Sequence, residues 1–180
     1  AMKYVAARQA RPNEAAGRFQ RNVMGAKSDL FLFRDSEVFS NARMGFQAVT
    51  NQDDSSSITK TSASVVDLRN TVVSMDGEFS LGKYLSMDYE LARSFYLPGE
   101  GSTTIKDQSN ANALRLAPQL RLGDTTFRYL YNYIQPKFYT DSGSASPDKI
   151  QHQATIDHRF SKRLSVSLME NYYWDHLTGS

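Results

Sequence analysis

Apolar and polar residues alternate with a period of two along most of the chain, the pattern of strands that present one face to each of two environments. The clearest stretch is Ala111–Gln135, ANALRLAPQLRLGDTTFRYLYNYIQ. Before Gly123-Asp124, Leu114, Leu116, Leu120 and Leu122 share one parity, and Arg115, Gln119 and Arg121 share the other. After it, Phe127, Tyr129, Tyr131 and Tyr133 share one parity, and Thr126, Arg128 and Asn132 the other. Two such runs around a two-residue, Gly-containing turn predict a β-hairpin. Folded there, Leu122 opposes Thr125, Leu120 opposes Phe127, Leu116 opposes Tyr131 and Leu114 opposes Tyr133. On the second face Gln119 opposes Arg128 and Arg115 opposes Asn132.

The same alternation recurs elsewhere. Val73, Met75, Phe79 and Leu81 face away from Ser74, Asp76, Glu78 and Ser80; a turn at Gly82-Lys83-Tyr84 follows. Leu85, Met87, Tyr89, Leu91 and Phe95 then alternate with Ser86, Asp88, Glu90 and Ser94. Ile150–Phe160 and Leu164–Trp174 form another pair about Ser161-Lys162-Arg163. Lys27–Phe33 is a strand of undecided facing, because Leu30, Phe31, Leu32 and Phe33 are all apolar, and Ala42–Thr50 alternates after it. Polar stretches at 51–70, 97–110 and 136–148 read as loops. The fold class predicted is therefore all-β, an antiparallel up-and-down meander of about eight strands, with connections alternating short and long. The apolar faces are broken by Arg93 and Glu170, which are expected near strand ends.

Residues 1–26 differ from this pattern and read as a separate basic segment, helix or loop, ahead of a single β unit at 27–180. Pro12-Asn13-Glu14 offers a helix start, Ala15, Ala16, Phe19 and Val23 an apolar side, and Gly25 a stop. Lys3, Arg8, Arg11, Arg18 and Arg21 make it a solvated segment or one that touches anionic lipid head groups. Met2–Ala7 has the look of a further strand.

Composition narrows the environment only partly. A chain of 180 residues is normally one domain. The net charge of +2 requires no nucleic acid. The absence of cysteine removes disulfides, Cys-based metal sites and Cys nucleophiles. No run approaches the 18 or so apolar residues of a membrane-spanning helix. Ala1-Met2-Lys3-Tyr4-Val5 has no apolar signal core, so export implies a processed or truncated form. Low mean hydropathy is compatible with a membrane barrel, whose lipid-facing and lumen-facing residues average out.

Two architectures suit these strands: a soluble sandwich or barrel with the Leu/Tyr/Phe face as core, and a membrane barrel with that face toward lipid. Short turns alternating with long loops, and strands of about 8–12 residues, favour the membrane. So do aromatic residues at strand ends: Phe95, Tyr96, Tyr133, Tyr172 and Trp174. The hairpins NTVVSMDGEFSLGKYLSMDYELARSFY, RLGDTTFRYLYNYIQPKFY and DKIQHQATIDHRFSKRLSVSLMENYYW resemble those of the porin-like outer-membrane β-barrels of Gram-negative bacteria. The resemblance spans about residues 27–175 and is architectural. It implies location in the cell outer membrane, contact with its lipid, and passage of polar solutes. Two features depart from the family: the chain ends Leu177-Thr178-Gly179-Ser180 rather than in an aromatic residue, and Pro118 sits mid-strand. A bulge at Pro118 or an edge position for its strand would accommodate it. With the short turns on the periplasmic side, the strand beginning at Lys27 and the one ending at Trp174 both meet the outer side. That implies a segment of a larger barrel, either closing on itself or open with two unpaired edges, unless Met2–Ala7 adds a strand and another follows Ser180.

The candidate site is the polar face. Pairing Leu81 with Leu85 sets Asp76 opposite Glu90 and Glu78 opposite Asp88, and like charges so placed need compensation. Arg115, Arg121 and Arg128 of the following hairpin are the expected partners, forming a charged wall that selects solutes or a salt-bridged filling of a narrow barrel. Four carboxylates also raise the possibility of a divalent cation, without a known loop motif; no metal or cofactor is assigned. His152 and His158 fall on the apolar parity and read as interfacial residues. Asp157, adjacent to His158 and so on the opposite face, is not placed to orient it. No phosphate-binding Gly loop occurs, and no enzyme activity is expected. The leading functional expectation is a passive pore component. A non-transport structural or adhesive surface barrel, or a soluble barrel or sandwich binding an apolar ligand, are the alternatives, with further strands or oligomerisation open.

Overall fold

The computed structural model describes residues 3–5, 19–34, 38–57, 67–98, 109–140 and 146–175. Nine strands result: β1 (Lys3–Val5), β2 (Gln20–Arg34), β3 (Phe39–Asp54), β4 (Leu68–Leu81), β5 (Leu85–Pro98), β6 (Ser109–Leu122), β7 (Thr125–Ile134), β8 (Lys149–Arg159) and β9 (Ser165–Asp175). Each pairs antiparallel with the next in one sheet, ordered β1 to β9. β1 and β9 do not meet, so the sheet is open, with two edges. Eight of the nine are the strands expected from alternation, and β1 lies within Met2–Ala7.

The hairpin registers follow from parity and turn length. Leu122↔Thr125, Leu120↔Phe127, Leu116↔Tyr131 and Leu114↔Tyr133 pair across β6–β7, as do Gln119↔Arg128 and Arg115↔Asn132. Gly123 takes φ 58° at the first position of the two-residue turn, where a II′ hairpin requires a positive φ. Leu81↔Leu85, Glu78↔Asp88 and Asp76↔Glu90 pair across β4–β5.

Strand boundaries differ from the sequence reading at the loop ends. β2 begins at Gln20, seven residues before Lys27, so residues 20–26 belong to the sheet rather than to a helix; the rest of the proposed helix before Phe19 lies outside the described residues. β3 runs on through Asn51–Asp54, and β4 starts at Leu68. Apolar alternation fails there because polar groups pair across the strands instead. Arg21 bonds Asp53, Thr50 bonds Thr71 at 3.1 Å, and Asn51 is the register partner of Asn70.

The ambiguous run Leu30–Phe33 is explained by a β-bulge: register shifts between Phe31 and Phe33, leaving Leu32 as the extra residue. A second shift lies between Phe39 and Asn41. Phe33 and Phe39 then stack with ring centroids 5.3 Å apart. Pro118 is neither at a bulge nor on an edge. The β6–β7 register is continuous past it, but the pairings of Ala117 and Pro118 with β7 are missing. A single absent N–H, aimed at β7, removes both, because adjacent pairings of an antiparallel ladder share that hydrogen bond. On its other side Pro118 keeps its register with Met87 of β5.

The apolar face is uncovered. Met24 (55% exposed), Leu91 (43%) and Leu168 (65%) sample it from β2 to β9, and no described residue forms a layer over it. Glu170 stands directly across from Ala154 at the middle of β9 rather than near its end. It is a charge on an edge strand, where it discourages edge-to-edge pairing. The buried apolar cluster lies instead on the opposite face: Ala111, Ile134 and Phe138, with Val72, Ala92 and Ala113 against them.

Candidate functional site on the polar face

Consecutive registers lay the polar face out as rows across the strands. One row reads Asp29, Gly45, Asp76, Glu90, Arg115, Asn132 from β2 to β7. The next row toward the loops reads Gln47, Ser74, Ala92, Ala113, Ile134. Beyond it come Val72, Ser94 and Ala111. A charged band therefore borders a shallow floor of small side chains.

The segment after β7 roofs that floor. Gln135 donates its N–H to Asn112 O at 3.0 Å and accepts the Asn112 N–H on Oε1 at 2.7 Å, which turns the chain inward. Tyr139 N–H then reaches Ser94 Oγ (3.2 Å), and Asn70 Nδ2 donates to Tyr139 O (3.0 Å). Phe138 is buried against Ala111 and Ile134. Tyr96, expected among the aromatic strand ends, belongs here: it points to the polar face and meets Tyr139 edge-on at 5.2 Å. A cavity of about 370 Å³ remains between Phe138, the small-residue floor and the Glu90–Arg115 pair. It adjoins a second hollow of about 370 Å³ that reaches Asp76, Asp88, Lys27 and Arg43.

Compensation of the acidic hairpin comes mainly from the other side. Arg43 of β3 donates Nη1 to Asp29 Oδ1 (2.6 Å) and Nη2 to Asp76 Oδ2 (2.8 Å), and Lys27 Nζ lies 3.7 Å from Asp29. Gly45 makes this possible. Asp29 and Asp76 both lie directly across from it. A Cβ at Gly45 would stand 2.7 Å from Asp76 Oδ1 and 2.9 Å from Asp29 Oδ1. Asn41 Nδ2 donates to Glu78 Oε1 at 2.6 Å. Glu90 and Arg115 are register partners, yet among the described residues neither they, Asp88 nor Arg121 forms an ion pair.

The seven residues singled out from sequence thus separate. Asp76, Glu78, Asp88, Glu90 and Arg115 share the band on β4–β6. Arg121 and Arg128 lie toward the turns, where they line a different hollow with Asp157. Arg128 is ion-paired with Asp157 and donates to Gln119 Oε1 at 3.1 Å. Arg43 and Asp29 carry no signal of their place here in the sequence, because β3 is joined to β4 by a long connection, across which parity fixes faces but not register. Gly45, a glycine within a strand, reads from sequence as a bulge or a point of close packing, and close packing is what the structure has there. Among the described residues no group of three or more His, Asp or Glu is arranged to hold a metal ion.

His152 and His158 occupy the apolar face. His152 accepts or donates at Nδ1 to Tyr129 OH (2.5 Å) and packs among Tyr131 and Trp174, with centroids at 5.1 and 5.5 Å. His158 Nδ1 meets Thr125 Oγ1 at 2.8 Å, while Asp157 points to the other face and holds Arg128. No nucleophile–base–acid chain connects them.

Comparison with protein-family models, curated proteins and solved structures returns no match.

Proposed function

We propose that the chain forms wall strands of an outer-membrane β-barrel, with its Leu/aromatic face toward lipid and its polar face lining a lumen through which polar solutes pass passively. The observation that carries this reading is the uncovered apolar face running from β2 to β9 opposite a charged one. Left in water, so large an apolar surface is a site of association; against lipid it is at home. The alternation of connection lengths supports it: the strands are separated by long intervals at 6–19, 55–67, 99–108 and 135–148 and by short ones at 35–38, 82–84, 123–124 and 160–164. Strand length does too, since every strand from β2 to β9 has at least 10 residues, and about 9–11 tilted residues cross a bilayer. A soluble sandwich needs a covering layer that no described residue supplies.

A second reading, a non-transporting structural or adhesive barrel, draws on the 135–140 segment, which packs onto the loop end of the polar face. Planar-bilayer recording of the purified chain separates the two. Stepwise conductance, with cation selectivity reduced in Glu90→Gln, is expected. A chain that inserts without conducting leaves the scaffold reading.

A further inference from the structure

We propose that the cavity between Phe138 and the Glu90–Arg115 pair binds a small zwitterion bearing an apolar side group, a free amino acid of the leucine type. The proposal rests on the inner-face assignment of the preceding reading and names the solute class it serves.

Three features of the cavity lead there. Its charges come as an opposed pair left unused by the protein. Glu90 and Arg115 face each other across β5–β6, but Arg43 is engaged by Asp29 and Asp76, and no ion pair forms between Glu90 and Arg115. A lone anion would meet Glu90 as well as Arg115, and a lone cation the reverse. A solute carrying an ammonium and a carboxylate close together satisfies both through charge-assisted hydrogen bonds. The wall next to the charges is apolar and shaped: Ala92 and Ala113 form a floor without bulk, and Val49, Val72 and Phe138 close the far side. A sugar or a hydrated inorganic ion gains nothing from that wall, whereas a branched aliphatic group buries against it. The volume, about 370 Å³, falls within the range of small-molecule pockets and suits one solute of this size rather than a peptide. Gln47, Ser74 and Asn132 in the lining offer neutral hydrogen-bonding groups.

The test is calorimetric titration of the full chain in detergent with L-leucine, glycine, leucinamide and 4-methylpentanoate. Leucine is expected to bind at least tenfold more tightly than glycine, which lacks the side group, and about tenfold more tightly than either singly charged analogue. Glu90→Gln should abolish the preference for leucine over 4-methylpentanoate, and Arg115→Gln the preference over leucinamide. Arg121→Gln, an exposed change outside the cavity, should leave all four affinities unaltered and controls for folding. Leucine binding no tighter than glycine, no leucine binding at all, or discrimination that survives both variants overturns the proposal. Conductance of the same preparations without amino acid reports separately on the pore: a conducting chain that ignores leucine defeats this inference and spares the pore reading. A non-conducting chain that binds leucine with the stated preferences supports the inference and removes the pore.

Discussion

Glycine 77 gives the sharpest handle on the packing of the sheet. It lies on the apolar face across from Tyr89, whose ring folds over the space a side chain would fill. A Cβ placed there collides with that ring and stands 2.6 Å from the carbonyl oxygen of Arg43. Tyr89 can rotate away, losing its packing; the Arg43 carbonyl cannot move unless β3 and β4 part. Reaching ordinary contact, about 3.4 Å, needs an opening of about 0.8 Å at the centre of a β-ladder. Overpacking of this kind costs about 1–3 kcal/mol, and the involvement of backbone puts Gly77→Ala at or above the upper end. Gly45→Ala meets carboxylate oxygens, which shift more cheaply but at the expense of the Arg43 bridge, so a loss smaller than that of Gly77→Ala is expected. Gly25→Ala meets Ala48 O and Val49 Cγ2 at 3.3 Å, which a few tenths of an ångström relieve. It should fall within about 1 kcal/mol of the parent in either direction, since alanine also lowers the entropy of the unfolded chain. Urea unfolding of the chain in lipid vesicles, followed by the fluorescence of its one tryptophan, Trp174, measures all three. Stability falling in the order Gly25→Ala, Gly45→Ala, Gly77→Ala is the prediction. A Gly77→Ala chain as stable as the parent would refute both the β3–β4 register and the placement of Tyr89.

Three other perturbations probe the site. Phe138→Ala should release the 135–140 segment from the polar face, lower stability by about 2–4 kcal/mol and raise single-channel conductance; unchanged protease sensitivity of that segment would count against its inward fold. Glu90→Gln should reduce cation selectivity more than Asp76→Asn, because Arg43 already neutralises Asp76; equal or reversed effects would place the bridge wrongly. Tyr129→Phe should cost about 1 kcal/mol through the lost hydrogen bond to His152, and a larger loss would mean that the aromatic group there carries more than packing.

How much of this was legible in the sequence depended on connection length. A two- or three-residue turn fixes both parity and register, so the faces and partners of Leu116, Tyr131, Asp76 and Glu90 followed directly. Long loops transmit parity only. The register Glu90↔Arg115 across residues 99–108, and the meeting of Arg43 with Asp76 across residues 55–67, had no local signal. Strand ends were misplaced where polar pairs such as Arg21–Asp53 replace apolar alternation. The bulge at Leu32 hid because every residue around it is apolar. Pro118 argues from sequence for a bulge or an edge strand, but an interior strand absorbs it by giving up two pairings with β7. The inward fold of 135–140 was missed altogether. Its sequence reads as a loop, and only Phe138 among polar neighbours hinted that something there would be buried.

The two faces of the sheet are proposed to meet different solvents, and labels along β5 distinguish lipid from water at each. The chain contains no cysteine, so single cysteines at positions 85–92 can carry a nitroxide label without background. In lipid vesicles the label should collide most with oxygen, which partitions into lipid, at Leu85, Met87, Tyr89 and Leu91. It should collide most with a water-soluble nickel chelate at Ser86, Asp88, Glu90 and Ala92. Alternation with that phase is the result expected. The opposite phase, or no alternation across these positions, would contradict the assignment of the apolar face to lipid.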